Sequence, residues 1–155
     1  MILSHWSASP LGALYPVEQH GSDLKPRGLW LSVDGEQDWP TWCRDNEFRD
    51  DNAFMHRAVI TLKPDAEVLF LQCEREVLEF TERYGYNPLP GHELLADTGM
   101  FIDWIRVAQE WHGLMVPTYL WSMRMHHRTS WYYGWDCASG CIWNPEAIDN
   151  VVQVT

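Results

Sequence analysis

Ten tryptophans in a chain of 155 residues constrain the fold more than any other feature of this sequence. A tryptophan side chain carries a large apolar surface, so most of these rings are expected to fill a small core. The same flat rings can also stack on a planar ligand. The sequence therefore predicts an aromatic core, with a minority of the rings available for binding.

Length and charge limit the class of protein further. A chain of this size fits one domain rather than two, and we assign residues 1–155 to one domain because no repeat or linker-like break divides them. Eleven basic and twenty-two acidic residues give a net charge of −11. This balance argues against a general nucleic-acid coat or a binder of anionic membranes. A local basic pocket remains compatible with a phosphorylated small ligand.

The cysteines and the amino-terminal sequence indicate a compartment. Four cysteines follow a start that has neither a secretory signal nor a membrane-spanning apolar run, which favours a cytoplasmic protein with reduced thiols. Cys137 and Cys141, with His126 and His127 nearby, are a weak indication of zinc, because their spacing differs from that of structural zinc sites. We predict no metal, and a zinc-bound module ranks last among the hypotheses.

The apolar pattern predicts an α+β fold. Short strands are expected at residues 2–6, 28–32, 56–62, 66–71, 114–120, 131–135 and 140–143, and helices at 38–43, 73–84 and 101–111. These elements do not alternate regularly, so we expect a split antiparallel sheet of six or seven short strands with about three helices. The sequence contains no GxGxxG, GxxxxGK[ST] or GxSxG motif, which excludes Rossmann and P-loop nucleotide binding and the usual hydrolase elbow.

Three segments carry residues suited to chemistry. They are Ser4-His5-Trp6-Ser7, the run KPRGLWLS from Lys25 to Ser32, and the run WDCASGCIWNPEAI from Trp135 to Ile148. Each has an ordinary structural explanation when taken alone: a buried structural histidine, a turn into a strand at Gly28, and a capping carboxylate at Asp136.

The order of these segments resembles that of the NAD-dependent ADP-ribosyltransferase superfamily. A histidine followed by serines near the amino terminus, then a Gly-Leu strand that ends in serine, is similar to the first two motifs of that family. Residues 61–69 are similar to its strand-turn-strand. Residues 141–148 resemble its last strand, which is followed by an Asp/Asn-Pro turn and an isoleucine.

The resemblance implies NAD, as substrate, in an extended cleft of a split sheet. It places His5 beside the nicotinamide-side ribose and amide, Trp30 or Trp42 against the nicotinamide ring, and Arg27 on the diphosphate, which a guanidinium matches well. Many members carry a catalytic glutamate at the start of the last strand, where Ser139 or its neighbour stands here, so the nearest carboxylate, Asp136, is assigned as catalytic together with His5. The complete set of residues expected at the cleft is His5, Trp6, Ser7, Arg27, Gly28, Leu29, Trp30, Ser32, Trp42, Asp136 and Ser139.

The expected activity is transfer of ADP-ribose to a macromolecule with release of nicotinamide. The partners are then NAD and an acceptor, protein rather than nucleic acid, with no membrane; such a small acidic domain would suit a toxin or phage effector. The alternatives are a non-catalytic binding module whose tryptophan-rich surface docks a partner, an NAD glycohydrolase, and an RNA 2′-phosphotransferase. The last needs a basic RNA path, against which the net charge argues.

Overall fold

The computed structural model describes residues 1–21, 23–48, 54–87 and 101–154. Within these ranges the strands are β1 (Leu3–Ser7), β2 (Leu29–Val33), β3 (His56–Leu62), β4 (Val68–Phe70), β5 (Gly85–Tyr86), β6 (Phe101–Ile102), β7 (Gly113–Val116), β8 (Ser139–Ile142) and β9 (Ile148–Gln153). The helices are α1 (Trp39–Asp45), α2 (Glu74–Tyr84), α3 (Trp104–Glu110) and α4 (Trp121–Arg124), and 3₁₀ turns span Ser130–Gly134 and Pro145–Ala147.

Seven of these strands form one mixed sheet in the order β4-β7-β8-β2-β1-β3-β9. All neighbours are antiparallel except β4 and β7, which are parallel. That parallel pair needs a long crossover, which contains α2, the small β5–β6 ribbon and α3. The predicted α+β class is therefore confirmed, whereas the sheet is not purely antiparallel and the described part of the chain has four helices rather than three.

The ladder between β1 and β2 is short. β1 pairs with β3 along five residues, but with β2 only at Leu3/Val33 and Ser4/Ser32. β2 continues to pair with β8 as far as Leu29. The sheet therefore opens between β1 and β2, beyond Ser4 and Ser32.

Two cores lie on opposite faces of the sheet, because successive residues of a strand point to opposite sides. Leu114 and Cys141 join an aromatic core under the helices, whereas their neighbours Met115 and Ile142 join an aliphatic core. Four tryptophans are buried in the aromatic core: Trp104, Trp131, Trp135 and Trp143. Five more are half-buried, and Trp121 is exposed.

One predicted strand differs from the structure in type, one predicted helix begins later than expected, and one strand of the seven-stranded sheet was not predicted. Residues 131–134, predicted as part of a strand over 131–135, lie instead in a 3₁₀ turn that ends at Gly134. α3 begins at Trp104, because the Asp103 side chain accepts a hydrogen bond from the Arg106 amide and caps the helix there, so Phe101 belongs to a strand. Strand β9 was not predicted; it pairs with β3 at the edge of the sheet.

No helix in the described ranges is long and apolar enough to cross a membrane.

Candidate functional site

A cleft of about 270 Å³ lies where β1 and β2 separate. Residues from both strands line it, together with the loop before β2, the start of α1 and the segment that leads into β8. The complete lining is Ser4, His5, Trp6, Lys25, Trp30, Leu31, Ser32, Trp39, Trp135, Asp136, Cys137 and Ser139. Strand β1 and the segment before β8, which are far apart in the sequence, thus meet at one site, because β2 is the common neighbour of β1 and β8.

His5 bridges the opening in the sheet. Its Nδ1 lies 2.9 Å from the carbonyl oxygen of Trp30 on β2. A carbonyl can only accept, so Nδ1–H donates and the neutral imidazole carries its proton on that nitrogen. The other ring nitrogen, Nε2, has no hydrogen-bond partner among the described residues and keeps a free lone pair.

Asp136 supplies the carboxylate of the cleft. Its side chain is 25% exposed and contacts two cations: Arg124 Nη1 lies 3.3 Å from Oδ1, and Lys25 Nζ lies 3.8 Å from Oδ2. Arg124 is itself fixed, since the same Nη1 donates to the Tyr119 hydroxyl at 2.9 Å and to the Trp135 carbonyl at 3.2 Å. The hydrogen bond to Tyr119 raises the pKa of Arg124, so this guanidinium stays charged beside the carboxylate.

Aromatic rings form the walls of the cleft. Trp30 packs against the buried Trp135 with ring centroids 4.9 Å apart, and Lys25 Nζ lies 5.3 Å above the Trp30 ring. Trp39 also lines the cleft and stacks on Trp42, with centroids 5.1 Å apart and planes 10° from parallel. The cleft therefore offers indole rings against which a flat ligand ring can pack.

Trp39 is positioned by hydrogen bonds at the start of α1. The Trp39 amide donates to Ser32 Oγ at 2.8 Å, and the Thr41 amide donates to Asp38 Oδ1 at 2.8 Å. Ser32 thus connects β2 to the helix, and Asp38 is the N-cap of α1.

Cys137 lines the cleft but is not an activated nucleophile. Burial raises the pKa of its thiol to about 11, and the charge of Asp136 acts in the same direction. The thiol is therefore protonated at neutral pH. All four cysteines are free, and within the described ranges no group of three or more His, Cys, Asp or Glu side chains is arranged to hold a metal.

Six of the predicted site residues lie together in the cleft: His5, Trp6, Trp30, Ser32, Asp136 and Ser139. Trp6 has an Arg57 guanidinium 5.4 Å from its ring centre, and its Nε1 is buried without a hydrogen-bond partner in the described structure. Ser139 Oγ donates to the Cys137 carbonyl at 3.0 Å, which fixes the turn after Asp136.

Five predicted residues lie elsewhere. Arg27 is outside the cleft, where its Nε pairs with Asp23 four residues earlier. Trp42 lies behind Trp39 instead of at the cleft wall. Ser7, at the end of β1, does not line the cleft, and its hydroxyl donates a hydrogen bond to the Ser9 carbonyl.

Gly28 and Leu29 line a separate, largely apolar cavity of about 290 Å³ beneath residues 13–17. Gly28 has a φ of +149°, and a Cβ there would lie 2.5 Å from the Ile142 carbonyl oxygen. The glycine therefore permits close approach of β2 to β8, rather than approach of a ligand.

The prediction omitted six lining residues: Ser4, Lys25, Leu31, Trp39, Trp135 and Cys137. Two of them could have been selected from the sequence. Lys25 precedes the same strand as Arg27. Because Asp23 and Arg27 are spaced as a local ion pair, Lys25 is the cation of this loop that could face a ligand. Trp39 shares a helix face with Trp42, but only the docking of α1 decides which ring meets the cleft.

No protein-family model, curated protein or solved structure matches this chain. The site must therefore be interpreted from its own geometry.

Proposed function

We propose that the protein is an NAD-dependent ADP-ribosyltransferase that modifies a macromolecular acceptor, for which a protein is favoured over nucleic acid. One observation carries the proposal: His5 from β1 and Asp136 from the segment before β8 line the same aromatic cleft. Cleavage of a nicotinamide–ribose bond would use the carboxylate to stabilise positive charge on the sugar. The imidazole can hydrogen-bond the substrate, and the indole rings can pack against the nicotinamide.

The size and walls of the cleft fit part of the substrate. Ligand sites usually enclose about 300–1,000 Å³, and this cleft of about 270 Å³ is at the lower limit. It has room for the nicotinamide and its ribose, so the adenosine half would lie outside the cleft. Trp30 and Trp39 are the rings best placed to contact the nicotinamide.

Asp136 would act on the ribose. When the bond between ribose C1′ and the nicotinamide nitrogen breaks, its electron pair goes to the ring, which leaves as a neutral molecule. Positive charge develops on the sugar, and a carboxylate next to it stabilises that charge. A nucleophile of the acceptor then bonds to C1′ and gives its proton to Asp136, which passes it to solvent.

His5 would orient the substrate. With Nδ1–H bound to the Trp30 carbonyl, the free Nε2 can accept a hydrogen bond from a ribose hydroxyl or from the carboxamide of nicotinamide. The bond to β2 also fixes the imidazole in place before the substrate arrives, which lowers the entropic cost of binding.

The direct test is an Asp136→Asn variant incubated with labelled NAD and a cell lysate. Wild type should release nicotinamide and label a macromolecule, and the variant should lose about 10²–10³-fold of the rate, as expected for one electrostatic stabiliser. Glu110→Gln is the control, because it also removes a carboxylate paired with an arginine, but on α3, outside the cleft.

The result separates the related activities. Nicotinamide release without labelling would indicate an NAD glycohydrolase, with water as the acceptor. No release and no labelling by wild type would contradict catalysis.

A non-catalytic binding module is the second candidate. The observation in its favour is the double pairing of Asp136 with Arg124 and Lys25, which occupies both carboxylate oxygens. In that case NAD would quench the tryptophan fluorescence of the protein but would not be cleaved.

A further inference from the structure

Lys25 is the one cationic side chain among the described residues that line the cleft. We propose that Lys25 binds the diphosphate of the dinucleotide, and that by moving there it releases Asp136 for the ribose. The inference rests on the proposed function, and it assigns to Lys25 the role that the sequence suggested for Arg27.

The other nearby cations are engaged. Arg27 pairs with Asp23 outside the cleft. Arg124 lies behind the carboxylate and is held by three acceptors. Arg57 pairs with Asp34 and also donates to the Ser4 hydroxyl at 3.0 Å. Moving any of these to a phosphate would break a close contact.

Lys25 makes longer contacts than these arginines. Its Nζ lies 3.8 Å from Asp136 Oδ2, at the outer limit of an ion pair, and its side chain is 43% exposed. Its methylene stem packs against Gly134, where a Cβ would lie 3.0 Å from Lys25 Cε. The stem is therefore supported, and among the described residues the ammonium contacts only the Asp136 carboxylate, at a long distance, and the Trp30 ring, 5.3 Å away. An ion pair this exposed adds little stability, so the ammonium can change partner at low cost.

A cation at the cleft would favour binding of a diphosphate to a protein that is acidic overall. A diphosphate carries two negative charges and would approach a protein whose formal charge is −11. Beyond about 8–10 Å these charges are screened at physiological salt, so the local cation decides whether the phosphates are tolerated. A lysine ammonium is a compact point charge on a flexible stem, which suits a group that changes partner.

The exchange links binding to catalysis. While Lys25 pairs with Asp136, the ammonium competes with the ribose hydroxyl for Oδ2. When the phosphates draw the ammonium away, Oδ2 becomes available and the carboxylate keeps its bond to Arg124. A substrate without phosphates would bind without this exchange.

The experiment uses the full chain with Lys25→Met, which keeps the stem and removes the charge. The dissociation constants of NAD and of nicotinamide riboside, which has no phosphate, are measured by tryptophan fluorescence. We expect about a tenfold loss of affinity for NAD, typical of one charged hydrogen bond, and less than a twofold change for the riboside.

Lys63→Met is the matched control. It removes the only other lysine of the chain, which is exposed in the turn between β3 and β4, and changes the net charge equally. Lys25→Gln serves as a second neutral variant, and equal melting temperatures show that each variant is folded.

The outcomes separate the two proposals. If wild type binds no NAD, the proposed function fails. If wild type binds NAD and Lys25→Met behaves like Lys63→Met, the role of Lys25 is overturned while the proposed function stands. Equal losses for NAD and the riboside would also overturn it, because Lys25 would then act on the nicotinamide half.

Discussion

Burial is the main reason that three of the four cysteine thiols hold their protons more tightly, among them that of Cys137 in the cleft. Cys43 and Cys137 are both buried, and removal from water raises the pKa of each thiol from 9.0 to about 11. Cys141 is buried as well, and its pKa is raised further. Cys73, at the N-cap of α2, is only half-buried. The four thiols should therefore differ in reactivity.

Alkylation measures this difference. At pH 8, iodoacetamide should modify Cys73 in the native protein, and all four cysteines after unfolding in urea. Mass spectrometry of the digested protein identifies the modified residues. Rapid modification of Cys137 in the native state at pH 8 would contradict the raised pKa.

Stability should depend on alkaline pH in a defined direction. A folded-state pKa above the unfolded value means that the native state holds its proton more tightly, so the stabilisation is complete below pH 9. It is lost as the pH rises through about 11. The free energy of unfolding, measured by urea titration, should fall across this interval, and Cys43→Ala should reduce the fall.

Among the elements, α1 has the closest connection to the site. Its N-cap Asp38 orients the first turn, and that turn presents Trp39 to the cleft with Trp42 stacked behind it. Loss of the cap should therefore destabilise the helix and also weaken the binding of a ligand in the cleft. α3 has an equivalent cap, Asp103, but no residue of α3 lines the cleft.

Paired cap variants use this difference. Asp38→Ala and Asp103→Ala should each lower the free energy of unfolding by about 0.5–2 kcal/mol, measured by urea titration. Only Asp38→Ala should also weaken NAD binding, by several-fold, because Trp39 loses its fixed position. Equal effects of the two variants on NAD binding would contradict the role of α1.

Elements with a strong local pattern could be predicted from the sequence. β3 lies at the predicted residues 56–62, since β-branched residues precede a clear turn, and α2 has the expected bounds within one residue. Residues 131–135 are rich in aromatic side chains, but residues 131–134 form a 3₁₀ turn and Trp135 follows it, with Trp131 and Trp135 both buried in the core. Their aromatic content favours a strand, and only tertiary packing decides otherwise.

The residues that line the cleft were harder to predict, again because tertiary packing decides which side chains meet. His5 and Asp136 could be selected because their residue types suit the chemistry. Which of Trp39 and Trp42, or of Lys25 and Arg27, meets the cleft depends on how α1 and the loop before β2 dock onto the sheet. Such docking is set by contacts between distant segments, which one sequence does not specify locally.

At the scale of the whole molecule, the aromatic core supports the cleft from behind. Trp104 has no exposed surface and lies at the centre of a ring cluster, with Phe80, Trp131, Trp135 and Trp143 at centroid distances of 6.1–6.4 Å. Its Nε1 donates to the Asp23 carbonyl at 3.1 Å, which anchors the loop that contains Lys25. Trp135 belongs to this cluster and directly precedes Asp136, so the core and the site share a wall.

Trp104→Ala and Trp121→Ala test how far stability depends on this core. Removing the buried Trp104 should lower the free energy of unfolding by about 3–5 kcal/mol, because the lost ring leaves a cavity that rigid neighbours cannot fill. Trp121, 64% exposed on α4, should change it by no more than about 0.5 kcal/mol. Circular dichroism during urea unfolding measures both without relying on tryptophan emission. Similar losses for the two variants would mean that the aromatic cluster is not the main stabilising core. The sheet alone would then have to support the Asp136 segment.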